Sequence, residues 1–403
     1  MARTKGVADR LVPMLERLLG AELPVRVRGW DGTEAGPPDA PVLCLRSRRA
    51  LRRLLWQPNE LGLGRAYVAG ELDVAGDLYD ALDRLAEFAD QRDLRRLRLR
   101  PAEWRDLLRT GVALGALGPQ PAPPVEEATL AGTKHSRGRD RAAVSHHYDV
   151  GNDFYERVLG PSMVYSCAYW REDSADYTLA DAQRDKLDLI CRKLGLRPGM
   201  RLLDVGCGWG SLLIHAASEY GVRAVGVTLS REQAEYARKR LVALGLDDRV
   251  EVRLQDYRAI PDGPYDAIAS VGMAEHVGAE PYAEYARVLF GLLRPGGRLL
   301  NHQISNRPDA TATRTTFIQA YVFPDGELLP LSTISTLLER AGFELRDMEA
   351  LREHYGRTLR AWVANLEENV GEAIALSSPG RVRVWRLYMA GAALAFERNR
   401  IGV

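Results

Sequence analysis

Residues 202–210 read LLDVGCGWG, an apolar run that ends in three alternating glycines and a tryptophan. Gly206, Gly208 and Gly210 let the backbone turn sharply where a strand passes into a helix. They also leave room for a ligand beside the helix that starts near Trp209. Asp204, just ahead of the turn, can accept hydrogen bonds from the loop or from an ammonium group. Cys207 lies within the loop, where a small side chain suffices. The spacing D-x-G-x-G-x-G is not the G-x-G-x-x-G of a dinucleotide site, and no Lys-Ser/Thr pair follows it, so nothing here grips a pyrophosphate.

The turn needs a scaffold, and the second half of the chain supplies one. RLLDVG (201–206), RAVGVTLS (223–230), VEVRLQDY (250–257), YDAIASVGM (265–273) and GRLLNHQIS (297–305) are short apolar strands. The helical stretches SLLIHAASEY, REQAEYARKRLVALG and PYAEYARVLFGLL separate them. This alternation predicts an α/β fold: a parallel sheet with helices on both faces and a ligand at the carboxyl ends of the strands. PQPAPPVEEA at 119–128 cannot sustain a helix or a central strand and marks a break. Residues 1–118 read as a smaller mixed α+β domain, with helical patterning at 8–19 (interrupted by Pro13) and 78–89, and strand-like PVRVRGW and APVLCLRS between them. Residues 119–141 read as a Pro-rich, then basic, linker, and 142–403 as the catalytic domain.

Composition narrows the class. The chain has 403 residues with a formal net charge of +1, which argues against bulk nucleic-acid binding. No apolar run approaches the ~18–20 residues of a membrane span, and MARTKGVADR lacks the apolar core of a signal peptide. Cys44, Cys167, Cys191 and Cys207 stand far apart, without a CxxC pair or metal-ligand spacing. A reduced cytoplasmic protein without disulfides or a bound metal is expected. Local charge is less even, with basic clusters at 46–53 (RSRRALRR), 92–100 (RDLRRLRLR) and 134–141 (KHSRGRDR).

The glycine turn resembles the first motif of class I S-adenosylmethionine (SAM) methyltransferases, a Rossmann-like fold, and QDY after the third strand strengthens the likeness. The resemblance implies that the loop holds the amino-acid end of SAM and the next two strand ends hold ribose and adenine. The second strand of that class usually ends in an acid. Here it ends VTLSREQ (227–233), so Thr228 and Gln233 would make the ribose contacts.

Further stretches resemble the cyclopropane fatty acid synthase family: HHYDVGNDFY (146–155), MVYSCAYW (163–170), GMAEHVG (272–278), HYGRTLRAW (354–362), and RAYVAGELDVAGDLYDAL (65–82) of the longer, two-domain members. The resemblance covers nearly the whole chain. It implies transfer of the SAM methyl carbon to a cis double bond of a phospholipid-esterified acyl chain, at the inner membrane surface. The N-terminal domain would help engage lipid, the basic clusters would suit anionic headgroups, and the protein would be a homodimer. Any single cluster reads equally well as a solvated helix face.

Methyl transfer to an alkene builds a carbocation, so the site must exclude water and tolerate positive charge. Tyr165, Tyr169, Trp170 and Tyr355 are aromatic candidates for that environment, although Trp170 also reads as core packing. The resemblance implies a bound bicarbonate ion as the base, cradled by Glu275, His302, Tyr355 and backbone groups at Cys167 and Ile304. His302 and the Tyr355 hydroxyl could donate to the anion, and Glu275 could accept its remaining proton. The same match puts Tyr165 and Ser166 near the methionine end of SAM, and Asp256 with Tyr257 near the adenine. Two departures stand out. Ala274 replaces a phenylalanine beside the cradle, and Ala392 stands where relatives carry a cysteine, which argues that no thiol is needed there.

Proton loss from the transferred methyl closes a cyclopropane. A hydride shift before proton loss gives a methylene branch such as 10-methylene stearate, which a separate reductase would saturate. The motifs specify one-carbon transfer but not which proton departs. The competing reading is a phospholipid-headgroup or small-molecule N-methyltransferase, which would share the SAM loop but have no use for the cradle. A DNA adenine methyltransferase is disfavoured because the fourth strand ends SVGMAEH. A non-catalytic lipid-binding protein would not need Glu275, His302 and Tyr355.

Overall fold

The computed structural model describes residues 5–92, 100–129, 132–134, 136, 138–140, 142–143, 150–309 and 316–403. The chain forms two compact units. One comprises Met1–Glu127, Thr315–Ala320 and Pro379–Leu394; the other comprises Ala128–Arg314, Tyr321–Ser378 and Ala395–Val403.

The first unit contains α1 (Val7–Leu19), β1 (Arg26–Arg28), β2 (Glu34–Ala35), β3 (Val42–Leu45), α2 (Arg48–Trp56), α3 (Glu60–Val68), β4 (Leu72–Ala75), α4 (Leu78–Arg92) and α5 (Pro101–Ala113). Its sheet runs β2-β1-β3-β4. Val7, Leu11, Met14, Val27, Leu45 and Phe88 form its core. Helix α1 continues through Pro13 rather than breaking there. The Pro-rich segment 119–127 packs onto this unit rather than standing free as a linker. Arg53 donates to the Ala122 carbonyl at 2.8 Å, and Arg65 pairs with Glu127. Later segments return to the same unit. Phe317 lies so close to Gly64 that a Cβ there would come within 2.4 Å of its ring. Arg383 bonds Asp73 at 2.8 Å and covers the Tyr67 ring.

The basic cluster at 46–53 is largely spent inside this unit. Arg53, 5% exposed, and Arg49 pair with Glu71, and Arg46 pairs with Asp73. Buried Glu71 and partly buried Asp73 thus pair three of the five arginines that the cluster offers to headgroups. Most of the second cluster lies outside the described residues. From the third, Lys134 meets Glu327 and Arg139 meets Asp325.

The second unit carries α6 (Asn152–Leu159), α7 (Leu179–Leu194), β5 (Arg201–Val205), α8 (Ser211–Tyr220), β6 (Arg223–Thr228), α9 (Arg231–Ala243), β7 (Val250–Leu254), β8 (Tyr265–Val271), α10 (Tyr282–Leu292) and β9 (Leu293–His302). These strands form one parallel sheet in the order β7-β6-β5-β8-β9. The order reverses direction on either side of β5, which opens a crevice at its carboxyl end. The strands are apolar throughout because helices cover both faces: Leu202, Ala224 and Ala267 belong to one core, and Leu203, Val205 and Ile268 to the other. Strand β9 begins four residues before the expected start. Leu293 pairs with Tyr265, and the RPGG stretch is absorbed as a register shift before Arg298 pairs with Ala267. Beyond β9, helix Arg352–Glu368 follows, which we label α11.

Candidate active site

The glycine loop leaves β5 with all three glycines at positive φ: 82° at Gly206, 53° at Gly208 and 83° at Gly210. The Gly206 and Cys207 amides both donate to the Val227 carbonyl, at 2.9 and 3.0 Å, which ties the loop to β6. A Cβ at Gly206 would come within 2.9 Å of Met273, whereas one at Gly208 would meet open space. Trp209 explains its own presence in the turn: its indole N–H donates to Asn152 at 2.7 Å, and its ring packs on Tyr155 at 4.7 Å. It anchors the loop to α6.

A cavity opens above this loop. Tyr165, Ser166, Asp204, Gly206, Cys207, Gly208, Trp209, Thr228, Gln233, Asp256 and Tyr257 all line it. Gly210 does not. It begins α8, and its missing side chain makes room for Ala237 of α9 at 3.1 Å.

At the end of β6, local capping fixes the polar groups. Ser230 caps α9 by accepting from the Gln233 amide at 3.2 Å. Thr228 accepts from the Ser230 amide and donates to Gln233 Oε1 at 2.9 Å. Past β7, Arg258 holds both oxygens of Asp256, at 2.9 and 2.6 Å, and reaches Asp140 at 3.0 Å. The Asp256 carboxylate, expected to face an adenine amine, is thus tied to a guanidinium that the sequence reading did not single out.

Lys186 and His276 also line the cavity and escaped the reading. Lys186 had a signal. On α7, Gln183, Lys186, Leu187, Ile190, Cys191 and Leu194 share one buried stripe, and a lysine on an apolar stripe is out of place. Burial lowers the Lys186 pKa to about 8 against the pull of Cys167 and Asp204. Burial raises Asp204 to about 7, opposed by Lys186, and lowers His276 to about 4. Met163 and Asp325, two cavity residues, hold φ values of 51° and 68°, a left-handed conformation rare for side-chain-bearing residues.

The five residues expected around a base do not line the cavity. Two clusters form instead. In one, the Ile304 amide donates to Glu275 Oε1 at 2.8 Å, so that amide is committed to the carboxylate. Among the described residues the second oxygen, Oε2, is buried without a partner, as is Nε2 of His302. Burial raises Glu275 to about 7, opposed by the Ile304 amide, and lowers His302 to about 3. In the other cluster, Thr358 of α11 pins the 163–170 segment. Its hydroxyl oxygen accepts from the Ala168 amide and the Trp170 indole, both at 3.1 Å. Cys167, its thiol pushed up by burial, donates to the Leu351 carbonyl, and Tyr355 stacks on Phe396 at 4.6 Å. The Lys186 charge opposes the burial-driven rise at Cys167 and adds to the fall at His302.

Of the aromatic candidates, Tyr165 lines the cavity between Tyr155 and Trp362. Tyr169 stacks on His354, and Trp170 lies under Arg357 at 4.6 Å. Ala274 is buried at 2% exposure. Residues 146–149 of HHYDVGNDFY lie outside the described residues.

The comparisons with known proteins bear on the family and the fold. The mycolic acid cyclopropane synthetase family matches residues 135–403. A probable fatty acid methyltransferase of Mycobacterium tuberculosis is 42% identical over 94% of this chain and 89% of its own length. The tuberculostearic acid methyltransferase UfaA1 of the same organism is 34% identical over 100% of this chain and 90% of its own. Among solved structures, the mycolic acid cyclopropane synthase CmaA1 complexed with SAH and CTAB matches with a TM-score of 0.61 and 35% identity, covering 65% of this chain and 95% of that one. The chain is a class I SAM-methyltransferase fold and an enzyme, and it belongs to the mycolic acid cyclopropane synthetase family.

Proposed function

We propose that this enzyme transfers a one-carbon unit from SAM to a cis double bond of a phospholipid-esterified acyl chain. The observation that carries the reading is two buried atoms without a partner among the described residues, Glu275 Oε2 and His302 Nε2, in the unit that holds the glycine-loop cavity. Buried polar atoms without partners are rare in native folds and call for a ligand. A headgroup N-methyltransferase would have no use for that pair.

SAM, when bound, supplies an electrophilic methyl group. The glycine loop, Asp204, Tyr165 and Ser166 would hold its amino-acid end, and Thr228 with Gln233 its ribose. Tyr257 would flank the adenine, with Asp256 available only once Arg258 yields it. Bicarbonate would draw on both clusters: His302 of the first and Tyr355 of the second could donate to an anion, and Glu275 Oε2 could take its proton. Glu275 must be ionised to do so, which its burial makes marginal near neutral pH. The Tyr165 ring, packed against Tyr155 and Trp362, would offer a π face for transient positive charge and help keep water away.

The enzyme would meet its substrate at a membrane surface, as a cytoplasmic peripheral protein. Among the described residues no helix is long and apolar enough to cross a membrane. Helix α5, however, exposes Trp104, Leu108 and Val112 in one stripe at i, i+4, i+8, with Arg105 and Arg109 alongside. An aromatic-anchored apolar stripe beside arginines suits an anionic lipid interface. Trp104→Asp should weaken co-sedimentation with anionic vesicles severalfold, and unchanged binding would remove the stripe from this role.

Proton NMR of the product from SAM and dioleoyl phospholipid tests the reaction. An upfield ring-methylene signal identifies a cyclopropane synthase, and vinylidene signals identify the methyl-branching reaction. No product on unsaturated lipid, with methylation of saturated lipid, would overturn the reading in favour of the headgroup.

A further inference from the structure

We infer that Lys186 is the counter-cation for a ligand carboxylate in this cavity, the α-carboxylate at the amino-acid end of the cofactor. This rests on the cofactor placement proposed above. Lys186 is 2% exposed and lines the cavity beside Ser166 and Asp204. Its ammonium donates to Ser166 Oγ at 2.9 Å, and no ion pair to it forms among the described residues. An ammonium has three protons to give, and one hydroxyl offsets little of the cost of removing it from water.

Asp204 presents the complementary problem. It is 3% exposed, lines the same wall, and its carboxylate bonds no donor among the described residues. The two charges feel each other without meeting. A separated cation and anion on one wall match a zwitterionic amino acid sign for sign, Asp204 facing its ammonium and Lys186 its carboxylate. Ser166, which accepts from Lys186, keeps its own hydroxyl proton for the same carboxylate. The bicarbonate cradle is a poorer destination for Lys186, because Glu275 and His302 do not line the cavity.

The test is calorimetric titration of the full chain with SAM and with decarboxylated SAM, which keeps the amine, sulfonium and nucleoside but lacks the carboxylate. Wild type should prefer SAM by at least about 30-fold, and Lys186→Met should erase that preference by weakening SAM alone. Lys186→Arg should restore part of it. Equal loss for both ligands in Lys186→Met would overturn the inference, since a lysine that merely supports Asp204 or the fold serves both. A Lys186→Met effect seen only with added bicarbonate would also overturn it. Should Lys186→Met not fold, wild type still decides: equal affinity for the two ligands overturns the assignment. Wild type that binds neither would overturn the cofactor reading and this inference with it.

Discussion

The glycine loop with the β6 end and the Glu275–His302 cluster lie in the same unit but treat their polar groups in opposite ways. At the loop, the amides of Gly206 and Cys207 are spent on Val227, and Thr228, Ser230 and Gln233 satisfy one another. In the other cluster, Glu275 Oε2, His302 Nε2 and Nε2 of Gln303, next in sequence, are buried with no partner among the described residues. Groups that are spent fix a shape; groups left over await a reactant. Apart from Asp204 and Lys186, the first region presents a preformed surface, and the second holds buried groups that the proposed anion would satisfy.

The largest effect should come from the second region. Glu275→Gln should lower turnover on the order of 100-fold or more while SAM affinity stays within about twofold, because it removes a proton acceptor and no cavity-lining group. Retained turnover would break the contrast between the regions. The wild-type rate should also fall as pH drops through about 7, where Glu275 becomes protonated, and the residual rate of the variant should lack that limb.

Within the loop, Gly206→Ala should weaken SAM binding about tenfold or more, since it combines a left-handed φ with contact against Met273. Gly208→Ala, with open space around it, should cost less, and calorimetry would rank the two. Equal losses would mean that φ alone matters. Thr228→Val should cost about fivefold in SAM affinity by unpairing Gln233 and the Ser230 amide.

The smallest effect concerns stability. Because the Glu275 pKa is raised on folding, its contribution is fully present below the ordinary carboxyl range and is lost as pH rises through about 7. At pH 8 the wild type therefore buries a charge at a cost, and Glu275→Gln should melt about 2–5 °C higher despite its lower turnover. A lower melting temperature at pH 8 would show that the carboxylate is already compensated in the free enzyme.

Legibility followed the range of the interactions. The glycine turn and the five strands are local: they depend on side-chain size and periodicity, written in adjacent letters. Gly210 was legible as a loop glycine, but its partner Ala237 was not, because that approach depends on how α8 and α9 pack. Lys186 left a trace in the helical period of α7, yet only the fold puts it against Ser166 and Asp204. Arg258 bonds Asp256 only two positions back, but its reach to Asp140, 118 positions away, left no trace because it needs the fold to bring them together.

By itself the sequence determined the strand order in the chain, the turn that opens the cavity and the residue types that could bind SAM and accept a proton. Tertiary structure decided which of those groups are satisfied. It committed the Ile304 amide to Glu275, joined the 163–170 segment to α11 through Thr358, and returned Pro379–Leu394 to the N-terminal unit. The reason is physical: periodicity reports which face of an element is buried, whereas the pairing of buried polar atoms depends on distances that only packing sets.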